Sequence, residues 1–155
     1  MFVLDHCLKV LTALAVAGCA QAVEPLRPWS SEAARGASIE TISIDNQASD
    51  ATPETLGYLQ TELRNGTERC ATGPTKYEMI VRLDHFPAGE VGDNNAVIGD
   101  VKLVDPATRS VASQYHITAL GGVGLIGLVE MSCGPQAGAR VFAEHVCRYV
   151  FKFQN

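Results

Sequence analysis

The alternation of hydrophobic and polar residues predicts four β-strands along the chain. Residues 39–45 (IETISID) and 77–86 (YEMIVRLDHF) alternate in this way and are rich in β-branched and aromatic residues, as strands usually are. Residues 96–105 and 110–120 predict two further strands. The Asp105-Pro106 pair between them suits a type I turn, because an acceptor side chain stands first and proline second. We therefore expect the last two strands to form a hairpin.

Two segments have the spacing of amphipathic helices. The first begins at Thr52-Pro53-Glu54, where a capping hydroxyl, a proline at the first helical position and an acidic residue follow one another. Its apolar stripe consists of Leu56, Leu59 and Leu63, and Asn65-Gly66 predicts its C-terminal end. The second helix is predicted from Gly134-Pro135 to about Tyr149, with a stripe formed by Phe142, Val146 and Tyr149/Val150.

The order of these elements, β-α-β-β-β-α, predicts an α+β fold. The first two strands are separated by a helix, so we expect them to be parallel and joined by a right-handed crossover. The later strands follow one another closely and should be antiparallel. The sequence therefore predicts a two-layer sandwich, in which a mostly antiparallel four-stranded sheet carries two helices on one face.

The strand residues that face away from the helices form a polar surface, as expected for a sheet covered on one side. They are Glu78, Arg82, Asp84, Asp100, Lys102, Gln114, His116 and Thr118. Arg82, Asp84 and His116 would form a cluster if the second and fourth strands are close. They are either a solvated face with mixed charges or a polar site. The neighbours Asp84 and His85 should point to opposite faces, which would prevent a dyad.

Residues 14–19 (LAVAGC) have the order of a bacterial lipobox: an apolar residue, small residues and Cys19. Residues 10–17 before the cysteine form an apolar core that is too short to span a bilayer. The N-terminus thus resembles that of bacterial lipoproteins, although the negative charge of Asp5 offsets the positive charge of Lys9, the one lysine before the apolar core. The resemblance implies cleavage before Cys19, acyl chains on that residue and, because Ala20 follows, the outer membrane. Ordinary cleavage after residues 20–22 (AQA), or a buried helix with Cys19 as a core thiol, are the alternatives.

These features predict a signal peptide over residues 1–18, a lipidated tether over 19–38 and one α/β domain over 39–155. Pro25 and Pro28 should prevent regular structure in the tether. Trp29 either folds back onto the domain or anchors at lipid headgroups, and we favour the first interpretation.

The domain also resembles small α/β lipoproteins of the bacterial envelope, some of them associated with secretion and assembly machines. The residues that carry this resemblance are Asp105, Pro106, Thr108, Gly121, Gly122 and Gly124. The apolar residues of the glycine-rich segment 121–131 either pack beneath the sheet or form a ledge that docks a partner protein or lipid. They are Leu125, Ile126, Leu128 and Val129.

Composition and charge restrict the function further. The chain has 155 residues, of which 46% are hydrophobic and 19% charged, and this indicates one globular domain. Its net charge of −5 and the absence of a Lys/Arg cluster disfavour nucleic-acid binding and polybasic membrane adhesion. Nucleotide-binding and G-x-S-x-G motifs are missing, as are C-x-x-C and H-x-x-H spacings. We therefore expect no metal, no cofactor and no catalytic residues.

The five cysteines fall into two groups, those of the N-terminal segment and those of the domain. Cys7 would leave with the signal peptide, and Cys70, Cys133 and Cys147 would reach an oxidising compartment, where pairing is expected. Cys133 and Cys147 flank the last helix about 20 Å apart, which is too far for a bridge. Cys70 precedes the second strand, where that helix should finish. We predict a Cys70–Cys147 disulfide and a free, buried Cys133.

The sequence as a whole predicts a lipid-anchored envelope protein that faces the periplasm and has no enzymatic activity. Its small domain would bind or support an envelope protein partner at the membrane. The alternative is a small periplasmic ligand-binding or hydrolytic domain that uses Arg82, Asp84 and His116.

Overall fold

The computed structural model of the protein describes residues 23–86, 96–120 and 135–152. The predicted order of strands and helices is confirmed within these ranges, and two N-terminal elements are added to it. The elements in chain order are β1 (Val23–Arg27), α1 (Ser31–Arg35), β2 (Ala37–Asn46), α2 (Pro53–Cys70), β3 (Thr75–His85), β4 (Ala96–Val104), β5 (Val111–Leu120) and α3 (Pro135–His145), which continues into a π-helical turn (Val146–Val150).

The strands form one mixed sheet in the order β1-β5-β4-β3-β2. β2 and β3 are parallel and are connected through α2, whereas the other three pairs are antiparallel. The predicted α+β fold is therefore confirmed. The predicted four-stranded sheet is incomplete, because β1 adds a fifth strand beside β5.

The hydrophobic core lies between the sheet and the two long helices. α2 packs against α3 and β2, and α3 packs against β5. The inward positions of the strands follow the alternation of the sequence, since Met79, Val81 and Leu83 are all fully buried. The helices contribute Leu59, Leu63, Phe142 and Val146 to the same core. None of the helices described here is long and apolar enough to cross a membrane.

The region predicted as an irregular tether is instead part of the domain, from Val23 onward. β1 pairs with β5 in spite of Pro25, because an edge strand needs hydrogen bonds on one side only and tolerates proline. Trp29 folds back onto the domain, as favoured from the sequence. Its Nε1 donates to the carbonyl of Val150 at 2.6 Å, and its ring meets Tyr77 edge-on.

α2 begins where the sequence predicts, at the Thr52 cap, but it does not end at Asn65-Gly66. It continues to Cys70, and Gly66 lies inside the helix at the point where α2 and α3 approach each other. A Cβ at this position would stand 3.5 Å from the Cβ of Ala143 and 3.6 Å from the Sγ of Cys147. The glycine therefore makes room for the neighbouring helix.

We predict that a large side chain at position 66 separates the two helices. Gly66→Leu should lower the free energy of unfolding by about 1–3 kcal/mol, the usual cost of overpacking. Gly66→Ala should be tolerated, since its Cβ contacts are of ordinary length. The matched control is Gly57→Leu, because no atom of the described residues outside the helix's own backbone lies within 4 Å of a Cβ at position 57. Urea unfolding of the variants measures the difference, and equal effects at both positions would refute the packing argument.

The predicted Cys70–Cys147 disulfide is confirmed. The two Cα atoms lie 5.6 Å apart and the cysteines are 77 residues apart in the chain. The bridge joins the end of α2 to the π-helical turn after α3. Cys133 lies outside the described residues, and so do Cys7 and Cys19.

Candidate functional site

A row of charged and titratable residues crosses the whole polar face of the sheet. The row contains one residue from each strand, and each is the direct register partner of the next. Register partners present their side chains on the same face of a sheet. In order across the sheet, this charged row consists of Glu24, His116, Asp100, Arg82 and Asp45.

Asp100 connects the centre of the charged row. Its Oδ1 lies 2.7 Å from Nδ1 of His116, and its Oδ2 lies 3.1 Å from Nη2 of Arg82. Arg82 also donates to both carboxylate oxygens of Asp84, at 3.1 and 3.2 Å. The structure therefore brings together the three residues predicted as a polar cluster, Arg82, Asp84 and His116.

Asp100 is the member of this cluster that the sequence analysis missed as a site residue. The alternation placed it on the polar face, but its burial and its position between two partners depend on strand order. β4 lies between β3 and β5, so its polar residue occupies the middle of the row. Only 8% of the Asp100 side chain is exposed, compared with 48% for Arg82 and 32% for His116.

The prediction that Asp84 and His85 face opposite sides of the sheet is not supported. The register of β3 shifts between Leu83 and His85, so His85 stands opposite Ile98. Ile98 pairs with Thr118 on the polar face, and Phe86, the next residue of the chain, is fully buried. A β-bulge of this kind interrupts the alternation of side chains. It assigns both Asp84 and His85 to the polar face.

The charges of the cluster partly neutralise one another, because Arg82 forms ion pairs with both Asp84 and Asp100. The hydrogen bonds from Arg82 to Asp84, together with the negative charge of Asp100, raise the pKa of the guanidinium. Ligand atoms of Asp84, Asp100 and His116 lie within 4.8 Å of one another and could reach a common metal ion. Arg82 already supplies positive charge to both carboxylates, however, so a metal ion would have to displace it. We assign no metal to this cluster.

The hydrogen bond between His116 and Asp100 resembles the base-and-orienter pair of a hydrolase. A nucleophile would have to lie within hydrogen-bond reach of the imidazole. Among the residues that the structure describes, no serine, threonine or cysteine side chain makes a hydrogen bond to His116. The described residues therefore contain the base-and-orienter pair but no nucleophile that is hydrogen-bonded to this imidazole.

His145 is a second titratable residue of interest, because it is buried on α3 with 5% exposure. Among the described residues its Nε2 has no hydrogen-bond partner, and its ring lies against Tyr149. Burial lowers the pKa of His145. A hydrogen bond to the Val141 backbone opposes this effect in part, and the smaller effects of Arg148 and Glu144 lower and raise the pKa, respectively. The imidazole is therefore neutral in the folded protein near neutral pH.

We predict that His145 makes the fold sensitive to acid. In the unfolded chain a histidine binds a proton below about pH 6.5, whereas folded His145 does so only at lower pH. The free energy of unfolding should fall as the pH drops below about 6.5. Urea unfolding at several pH values should show a smaller loss of unfolding free energy for His145→Gln than for the wild type. A part of the loss remains, because the other histidines titrate in both proteins. Identical pH profiles would contradict this assignment.

A concave surface in the described part of the molecule is separate from the charged row. An open groove of about 620 Å³ lies between α2 and α3, and it contains no residue of the charged row. Its lining is Glu62, Asn65, Glu68, Arg69, Arg140 and Glu144. The predicted apolar ledge, Leu125, Ile126, Leu128 and Val129, lies outside the described residues.

No family model and none of the curated proteins matches this sequence. Among solved structures, the chain is similar to the PelC dodecamer from Paraburkholderia phytofirmans in space group P6, with a TM-score of 0.55 and 15% identity over 84% of this chain and 98% of that chain. A single-substitution variant of PelC from the same organism, also a dodecamer, gives a TM-score of 0.46 and 16% identity over 82% and 95% of the two chains. The first similarity shows a shared fold.

Proposed function

We propose that this protein is a lipid-anchored, non-catalytic component of the bacterial envelope, whose domain presents the charged row to a partner at the membrane. The observation that carries the proposal is the row itself. It crosses all five strands on the face opposite α2 and α3, and it ends in the exposed carboxylates of Glu24 and Asp45. A face of this kind is suited to a protein partner rather than to a small substrate.

The lipobox at residues 14–19 supports the anchor. Acyl chains on Cys19 would hold the domain firmly, since stable attachment needs more than one chain. The Cys70–Cys147 bridge fits an oxidising compartment such as the periplasm. Ala20 after the lipidated cysteine favours the outer membrane by resemblance to bacterial lipoproteins.

The charge of the row indicates the character of the partner. Carboxylates stand at both ends and at the centre, and Arg82 is the one member with a permanent positive charge. A partner surface with cationic or hydrogen-bond donor groups would complement it. That surface belongs to another envelope protein or to a second copy of this chain; the similar PelC structure is a dodecamer. The apolar residues Leu125, Ile126, Leu128 and Val129 are a further proposed contact.

A second candidate function, ligand binding or hydrolysis at Arg82, Asp84 and His116, is favoured by one observation, the hydrogen bond between His116 and Asp100. It requires a nucleophile or a bound ligand beside the imidazole. Loss of a measured hydrolytic activity in His116→Gln would favour this second function over the first.

The anchor is tested by replacing Cys19. Cys19→Ser should abolish acyl labelling in cells and move the protein from the membrane fraction to the soluble fraction. The matched control is Cys133→Ser, which should remain labelled and membrane-bound. Persistent labelling of Cys19→Ser would remove the anchor from the proposal.

The partner is tested by photo-crosslinking in intact cells. A crosslinking amino acid at the exposed Asp45 should capture a specific protein or a second copy. The same probe at Thr61, which is exposed on α2, should not. Equal capture from both positions, or none from Asp45, would contradict recognition through the charged row.

A further inference from the structure

The start of β1 lies very close to the proposed anchor, and this inference rests on the lipid anchoring proposed above. Residues 20–22 alone separate Cys19 from Val23, the first residue of β1. An extended chain spans at most about 3.6 Å per residue, so the Cα atoms of Cys19 and Val23 are at most about 14 Å apart. The domain therefore has no long tether, and part of it must stay beside the membrane.

β1 is an edge strand of the sheet. The sheet is wider than the length of the linker formed by residues 20–22. Its opposite edge is β2, four strand spacings away. Strands lie about 4.8 Å apart, so β2 is roughly 19 Å from β1. The short linker keeps β1 near the lipid surface in every orientation, whereas β2 approaches it only if the sheet lies flat.

The side chains of β1 distinguish between these orientations. Leu26 is 48% exposed, and no other large hydrophobic side chain among the described residues is exposed. Arg27 follows it and is also exposed. An apolar side chain next to a cation fits a phospholipid surface, where acyl chains and phosphates lie close together. A flat sheet would instead press the acidic charged row, or the helices, against the headgroups.

A lipid surface is a better occupant of this edge than another protein strand. Pro25 has no backbone N–H to donate, and the register of β1 shifts between Pro25 and Arg27. Proline and bulges at sheet edges prevent strand addition. They do not prevent contact with headgroups, which needs no regular hydrogen-bond ladder.

We propose that the outer edge of β1, formed by the exposed Leu26 and Arg27, rests on the phospholipid headgroups of the membrane that holds Cys19. Leu26 enters the interface and Arg27 pairs with lipid phosphate. The sheet then stands upright on the membrane. The charged row runs outward from Glu24 near the lipid to Asp45 at the far edge, so a partner reaches it from the side.

The orientation is tested with isotope-labelled, acylated protein isolated from membranes and inserted into nanodiscs. A gadolinium chelate on the lipid headgroup broadens the NMR signals of nearby amides. The amides of Glu24 and Leu26 should lose several-fold more intensity than those of Thr41 and Ser43 in β2. Leu26→Asp should reduce this difference, and Thr41→Asp, an exposed position on the opposite edge, should not.

The outcomes separate this inference from the anchor on which it rests. An isolated protein without acyl chains would refute the proposed function itself. An acylated, nanodisc-bound protein with uniform broadening, or with stronger broadening in β2, would leave the anchor intact and refute the orientation. Crosslinks between two copies at Leu26 without broadening there would likewise refute it, because a second copy would then cover the edge.

Discussion

Replacing Cys70 and Cys147 together by serine should lower the free energy of unfolding by about 4 kcal/mol. The bridge closes a long loop, with a sequence separation of 77 residues, and the entropy that such a loop removes from the unfolded chain corresponds to about 4–5 kcal/mol in the chain-entropy model. The bridge also fixes the end of α2 against the π-helical turn that follows α3. A loss of this size is a large part of the total stability of a small domain, which is typically about 5–15 kcal/mol.

Urea unfolding of the oxidised protein and of the double variant measures this loss. Wild-type protein unfolded in the presence of a reductant should behave like the double variant. Cys133→Ser is the control, and it should retain the transition of the oxidised wild type. If Cys133→Ser lost as much stability as the double variant, Cys133 would take part in the bridge and the assigned pairing would be wrong.

Asp100→Ala should lower the free energy of unfolding by about 2–3 kcal/mol, because it removes a buried carboxylate that pairs with two neighbours. Arg82 would keep its hydrogen bonds to Asp84, but His116 would lose its one described partner. Asp100→Asn should cost less than the alanine variant, since the amide oxygen can still accept a hydrogen bond.

Asp84→Ala is the matched control, since it removes a carboxylate that contacts the same arginine but is four times as exposed. The exposed fractions of the two side chains are 33% for Asp84 and 8% for Asp100. Surface ion pairs contribute little to stability because water screens them, so Asp84→Ala should have a small effect. Thermal and urea unfolding of the three variants give the comparison. Equal losses at positions 84 and 100 would show that burial does not distinguish the two carboxylates.

Much of the fold could be predicted because its signals are local. The alternation in residues 77–86 defines the buried side of β3, and Met79, Val81 and Leu83 are buried as expected. The capping hydroxyl of Thr52 marks the start of α2. Even the disulfide could be predicted, since helix length excludes a bridge between Cys133 and Cys147 and leaves Cys70 at the matching end of the sheet.

Three features could not be predicted, because each depends on a neighbour that is distant in the sequence. β1 contains Pro25 and shows little alternation, and it is a strand only because β5 offers it a free edge. Asn65-Gly66 has the form of a helix end, but Gly66 instead accommodates α3. The bulge before His85 is set by the register between β3 and β4.

The sequence by itself determined the α+β order of elements and the apolar and polar faces of the sheet. These follow from periodicity and capping, which are properties of short segments. The tertiary structure alone decided that Arg82, Asp84 and His116 lie together around the buried Asp100, that the residues from Val23 onward belong to the domain, and that β1 forms the edge next to the proposed anchor. Each of these depends on strand order and register, which arise when distant segments share one sheet and one core.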